Sequence, residues 1–258
     1  MKLNFVKYQG TGNDFIIINN LSNELKEFSN ELVSRLCDRK FGVGADGLIL
    51  INSHSDVNFE MNYSNADGSK SFCGNGARCA VHFAHQLGLF ENKTEFSAID
   101  GIHSAKIIND EVSLKMNDVL EWIKIKNDYI IDTGSPHYIR YVENLADYNI
   151  VEFGKQIRYN DEFRKNGINV NLVEKGVDRL KMLTYERGVE DETYSCGTGA
   201  TAVAIANSIE NNLNGDFETL IKVKGGGLTV KGHFDGEKFT TIYLIGPATA
   251  VFNGQIEV

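Results

Sequence analysis

Cys73-Gly-Asn-Gly-Ala77 and Cys196-Gly-Thr-Gly-Ala200 stand 123 residues apart, and each opens a stretch with the spacing of a buried helix. Over 74–87, Ala77, Ala80, Val81 and Ala84 share one face; over 197–209, Ala202, Val203, Ala206 and Ile209 do the same. Outward from these two motifs, Thr11-Gly12-Asn13 recurs as Thr133-Gly134-Ser135, so the glycine-to-cysteine separations are 61 (12 to 73) and 62 (134 to 196). Gly47 precedes the apolar run 48–51 and Asn169 precedes 170–173, each 35 residues after its Thr-Gly glycine. Glycine-rich helix starts recur by chance, but three landmarks in register make the chain a duplicated unit.

Around the landmarks the pattern is mostly β. Strands are expected at 3–8, 15–18, 48–51 and 57–63, with a hairpin of 105–108 and 111–116 turning at Asn109-Asp110. A third helix is expected at 30–38, where Leu32, Val33 and Leu36 share a face, and Gly88 and Gly215 stand where helices end. Two β-rich domains with one buried helix each follow, joined near 119–126, with chemistry expected in the cleft between them.

Composition narrows the partners. The 258 residues carry 26 Lys plus Arg against 35 Asp plus Glu, a net charge of -9. Nucleic acid and anionic membrane are poor partners for such a surface. At 42% hydrophobic residues the chain is expected to fold. Apolar stretches reach only about five residues, so neither a signal peptide nor a membrane span is expected. Cys37, Cys73, Cys79 and Cys196 form no CxxC pair and no zinc spacing. Free thiols, no metal and a cytoplasmic setting are the expectation.

A cysteine before Gly-x-Gly at a helix start meets unpaired N–H groups and the positive end of the helix dipole, both of which favour thiolate. Cys37 and Cys79 fall on apolar faces and read as packed thiols. Cys73 and Cys196 share a position in a repeat and read as functional. Two such helix starts can bind one carboxylate while one thiolate removes an α proton and the other thiol returns one, inverting the carbon.

The motifs Gly10-Thr-Gly-Asn-Asp-Phe15, Asn65-Ala-Asp-Gly-Ser69, Cys73-Gly-Asn-Gly-Ala-Arg-Cys79, Glu186-Arg-Gly188 and Cys196-Gly-Thr-Gly-Ala200 resemble the diaminopimelate epimerase family, in order and over essentially the whole chain. The resemblance implies an α+β fold of two pseudo-symmetric domains, each a curled, barrel-like mixed β-sheet around a central helix. It divides the chain at 1–118 and 119–248, with 249–258 returning to the first half. It implies a cofactor-independent isomerase, independent of pyridoxal phosphate, that interconverts LL- and meso-diaminopimelate for lysine and peptidoglycan precursor synthesis. Related enzymes are often homodimers.

Residue by residue, the resemblance makes Cys73 and Cys196 base and acid, exchanging roles with direction. Gly74, Asn75, Gly197 and Thr198 would hold the reacting carboxylate, Asn13 would orient the reacting end, and Asn65, Asn169, Glu186 and Arg187 would read the distant head. His137 and Glu186 would assist catalysis. Arg187 suits a carboxylate and Glu186 an ammonium group. Two positions depart from the usual family pattern: Ser135 replaces an amide and Gly47 a polar side chain. They leave a sulfur-bridged diamino diacid open as substrate. A proline- or hydroxyproline-type racemase fits less well, because a single-headed substrate leaves Glu186 and Arg187 unused. A phenazine-type isomerase would not need both thiols. A redox switch pairing Cys73 with Cys196 and a non-enzymatic amino-acid binding module are the readings from other classes.

Overall fold

The computed structural model describes residues 1–258. The chain forms two compact units, one of Met1–Leu114 with Gly246–Val258 and one of Lys115–Ile245.

The first unit runs β1 (Lys2–Gly10), β2 (Asn13–Asn20), α1 (Asn30–Cys37), β3 (Gly47–Asn52), β4 (Phe59–Asn65), α2 (Gly74–Gln86), β5 (Lys93–Ala98), β6 (Gly101–Ile108) and β7 (Glu111–Lys115), and is completed by β17 (Thr249–Glu257). Along β1 to β7, successive strands pair antiparallel, parallel, antiparallel, parallel, antiparallel and antiparallel. β17 lies antiparallel to β1, with Lys2 opposite Glu257.

The second unit runs β8 (Trp122–Ile125), β9 (Asp128–Asp132), β10 (Pro136–Val142), a 3-10 turn (Leu145–Asp147), α3 (Ile150–Arg158), β11 (Asn169–Lys175), β12 (Leu180–Glu186), β13 (Asp191–Thr193), α4 (Gly197–Glu210), β14 (Gly215–Val223), β15 (Gly226–Phe234) and β16 (Phe239–Gly246). From β9 through β10, β11, β12, β14, β15 and β16 the pairing repeats the same six steps. β8 lies on β9 as β17 lies on β1. The duplication extends to the rung: Phe15 pairs with Gly47, and His137 with Asn169.

Each unit wraps a mixed sheet around one buried helix. α2 packs on β1 to β4 with Ala77, Ala80, Val81 and Ala84 fully buried. Close approach needs Gly76, where an added Cβ would stand 3.3 Å from both Met61 Cε and Phe15 Cε1. α4 is buried almost all round, as befits a helix with little polar surface. The outer faces of β2 and β3 carry Ile16, Ile18, Leu48 and Leu50 against Val33 and Leu36 of α1, so β3 is buried on both faces. In the second unit Ile150 of α3 packs with Ile168, Val170, Leu172 and Tyr185.

Asn109 and Asp110 both have positive φ, 49° and 64°, and make the expected hairpin turn. Four expectations change. The units divide after Leu114 and Ile245, four and three residues before the expected boundaries. The joining segment expected at 119–126 is instead part of the second unit: it holds β8, whose Trp122 meets Phe234 and Phe239 edge-on at 5.8 and 5.3 Å. α3 was not expected; its Asn149 side chain caps the Val151 and Glu152 N–H groups. Gly215 opens β14, and α4 ends earlier, at Glu210, where left-handed Asn212 (φ 49°) closes it with N–H bonds from Asn212 to Ile209 O and from Leu213 to Ser208 O.

Candidate active site

Cys73 and Cys196 are the N-cap residues of α2 and α4. Their backbone angles nearly coincide, φ -128° and ψ 112° against φ -126° and ψ 112°. The extended cap followed by glycines turns each chain from strand-like backbone into helix; the Cys73 sulfur accepts from a first-turn N–H group, whereas the Cys196 side chain makes no such cap bond.

In the first unit, Cys73 Sγ lies 3.5 Å from the Gly76 N–H and 3.6 Å from Asn13 Oδ1. Asn75 Nδ2 donates to the same Asn13 oxygen at 3.2 Å, and Asn13 Nδ2 donates to Asp46 Oδ2 at 2.7 Å. Asp46 thus decides which end of the Asn13 amide faces the thiol. Arg39 in turn bridges Asp46 and Asp14, and Lys7 pairs with Asp14 at 2.8 Å. Burial opposes the Asp14 charge, but the hydrogen bonds and charges of Arg39 and Lys7 win and hold its carboxyl near 2. Asn65 ends β4. Its Nδ2 ties down Ser69 and Ser71 on the approach to Cys73, and its Oδ1 accepts from the Tyr63 hydroxyl at 2.9 Å.

Gly47, the departure noted in the sequence, pairs with Asn65 across the β3/β4 ladder. An added Cβ would stand 2.4 Å from Tyr63 Cε2 and 2.7 Å from Ser64 O. Tyr63 fills the space that a side chain at 47 would take.

In the second unit, Cys196 Sγ lies 3.4 Å from Thr198 Oγ1, and His137 Nε2 lies 2.9 Å from that hydroxyl. His137 is fully buried; burial first, and the Arg187 charge second, push its pKa down to about 3. Asn171 Nδ2 stands 3.1 Å from His137 Nδ1 and donates to Tyr138 O at 3.1 Å, while Asn171 Oδ1 accepts from Thr184 Oγ1 at 2.9 Å. Asn169 Nδ2 donates to Ser135 Oγ (2.8 Å) and Pro136 O (3.0 Å), and its Oδ1 accepts from the Arg187 N–H (2.9 Å). One amide therefore gathers two sequence-predicted positions, Ser135 and Arg187, and the shorter Ser135 side chain is engaged. Arg187 is exposed and donates from Nη1 to Asn166 O at 2.9 Å; Glu186 ends β12, half-buried.

Asn13 and Asn75 come together at Cys73, His137 and Thr198 come together at Cys196, and Ser135 and Arg187 are joined through Asn169. Gly74 follows Cys73 as Gly197 follows Cys196, each the first residue of its helix. Sequence reasoning missed Asp46, Tyr63, Asn171 and Thr133, whose hydroxyl donates to Thr198 O at 2.9 Å. Two were findable: Thr133 repeats Thr11, and Asn171 follows Asn169 at the two-residue spacing that puts both on one face of a strand. Cys37 and Cys79 are free thiols. Both are buried, which pushes both thiols up, Cys37 to about 11. No group of three His, Cys, Asp or Glu residues is arranged for a metal ion.

Comparison with known proteins identifies the family and the fold. The family model for diaminopimelate epimerase matches residues 5–119 and 129–251. A diaminopimelate epimerase of Flavobacterium psychrophilum is 46% identical over 254 residues, 97% of this chain and 98% of the relative. The fold is shared with a PhzF-family phenazine biosynthesis protein of Bacillus anthracis (TM-score 0.79, 14% identity, all of both chains). It is also shared with a hydroxyproline epimerase of Agrobacterium vitis (TM-score 0.72, 14% identity, 99% of this chain and 92% of the other). The chain belongs to the diaminopimelate epimerase family.

Proposed function

We propose that this protein interconverts LL- and meso-diaminopimelate, in lysine and peptidoglycan precursor synthesis, with Cys73 and Cys196 as its proton-transfer pair. One observation carries the reading: two repeats of one fold each cap the N-terminus of the equivalent buried helix with a cysteine, in backbone conformations 2° apart in φ. A fold has no packing need to place the same thiol twice at a helix start.

The chemistry balances without an added reagent. The substrate carboxylate binds the first-turn N–H groups of Gly74, Asn75, Gly197 and Thr198. A thiolate takes the α proton and becomes a thiol; the electron pair of the C–H bond spreads into the carboxylate; the other thiol delivers its proton to the opposite face and becomes a thiolate. The two sulfurs end with roles exchanged, ready for the reverse reaction. Because the α proton is a very weak acid, the helix-start donors must hold the charge that builds on the carboxylate. Such donors are worth about 10²- to 10³-fold each, and a positioned acid or base about 10²- to 10⁴-fold. Arg187 supplies a carboxylate contact for the distant head and Glu186 an ammonium contact, which a single-headed amino acid would leave unused.

The test is the reduced enzyme with LL-diaminopimelate in deuterated water, beside Cys73→Ala and Cys196→Ala. Meso product carrying deuterium at the α carbon, absent from both variants, supports the reading. Turnover surviving either substitution ends the two-thiol mechanism, and no turnover by the reduced wild type ends diaminopimelate as substrate.

A further inference from the structure

The second unit keeps a buried polar cluster where the first keeps apolar core. His137, Asn171 and Thr184 are 0%, 0% and 2% exposed. By rung, Asn171 pairs with Thr184 and Ile49 with Tyr63, as His137 pairs with Asn169 and Phe15 with Gly47. The first unit therefore builds the same sheet with Phe15, Ile49 and Tyr63 in the places of His137, Asn171 and Thr184. Burying polar groups costs free energy unless every one is paired, so a fold that works with the apolar set has no architectural reason for the polar one.

The bonds in the cluster have a fixed direction. Tyr138 O is a main-chain carbonyl and only accepts, so the Asn171 NH2 end faces β10, and the other end accepts from Thr184. The second Asn171 N–H then points at His137 Nδ1, which must accept. Burial keeps the imidazole neutral, with its pKa near 3, so its single proton sits on Nε2 and is donated to Thr198 Oγ1 at 2.9 Å. The hydroxyl's own proton is left to face Cys196 Sγ at 3.4 Å. Gly199 makes room for this: a Cβ there would stand 2.8 Å from Asn171 Oδ1 and 3.2 Å from His137 Cε1.

We propose that Asn171, anchored by Thr184, is a positioning residue that holds His137 in its Nε2–H tautomer and so aims the Thr198 hydroxyl proton at Cys196. That donor favours the thiolate of Cys196 over its thiol. The proposal rests on the two-thiol reading only for its effect on turnover; the tautomer and the thiol reactivity stand without any substrate.

The test uses the full-length enzyme with nitrogen-15 in its histidine rings. The wild-type spectrum should show His137 protonated at Nε2; protonation at Nδ1 overturns the proposal whatever the variants do. Asn171→Asp presents an acceptor to Nδ1 and should flip the ring to Nδ1–H, so that Nε2 takes the Thr198 proton away from Cys196. Iodoacetamide should then alkylate Cys196 about tenfold more slowly at neutral pH and leave the Cys73 rate unchanged. The turnover number should fall at least about tenfold, with KM changed less than twofold. Asn171→Leu, which offers neither donor nor acceptor, should leave a tautomer mixture and an intermediate Cys196 rate. Equal slowing or speeding at both cysteines, or an unflipped ring in Asn171→Asp, refutes the positioning role. If these arms hold and diaminopimelate is not turned over, the substrate assignment fails and the tautomer relay stands.

Discussion

Gly47→Ala tests whether Tyr63 and the bare backbone at 47 are one device. The new Cβ would meet the Tyr63 ring at 2.4 Å and the main-chain oxygen of Ser64 at 2.7 Å. A ring can swing aside; a carbonyl in the β3/β4 ladder cannot move without opening the Gly47–Asn65 rung. Overpacking of this kind costs about 1–3 kcal/mol, and losing the Tyr63 hydroxyl bond to Asn65 adds about 1 kcal/mol, so about 2–4 kcal/mol is expected. Urea unfolding monitored by circular dichroism gives this difference directly. Asn65 anchors Ser69 and Ser71 just before Cys73, so KM and turnover should worsen together. Tyr63→Ala in the Gly47→Ala background removes the nearer clash and should show a coupling of at least about 1 kcal/mol. A Gly47→Ala enzyme within about 0.5 kcal/mol of wild type, with unchanged kinetics, refutes the reasoning.

Two further outcomes follow from buried charge. His137 has a pKa near 3 in the fold against 6.5 free, so below pH 6.5 the unfolded chain binds a proton that the native state refuses. Its contribution is intact above about 6.5 and is lost towards about pH 3, at up to about 1.4 kcal/mol per pH unit; His137→Gln should unfold with a correspondingly flatter pH dependence, and parallel curves would contradict this. Arg78 is fully buried with Nε and Nη1 lacking any hydrogen-bond partner and only Nη2 bonded, to Thr11 Oγ1 at 3.2 Å. Arg78→Met should leave stability within about 1 kcal/mol of wild type or raise it. It should also slow alkylation of Cys73, whose thiolate attracts this cation; a loss above about 3 kcal/mol, or an unaltered Cys73 rate, tells against that view.

What the sequence showed was whatever a short window or a repeat can carry. The cysteine motifs, their helices and the 61- and 62-residue registers lie within single stretches or recur at one offset, and α2 and α4 begin at the predicted glycines. α3 was legible too, since Ile150, Phe153, Gly154 and Ile157 follow helical spacing, but Gly154 disguised it. That glycine is demanded by Tyr185, whose ring an added Cβ would strike at 2.3 Å. Partners far apart in the chain were not legible. Nothing near Asn13 announces that Asp46, 33 residues on, will orient its amide. Nor does Gly47 reveal that Tyr63 occupies its side-chain space.

The pairing of β1 with β17 also orders the birth of the molecule. Residues 115–245 form a unit from one continuous piece of chain, whereas the other unit lacks a strand until β17 has been made. On the ribosome, where synthesis runs from the N-terminus at about 5–20 residues per second, the half carrying Cys196 can close while β1 still presents an open edge. The half carrying Cys73, though translated first, finishes second.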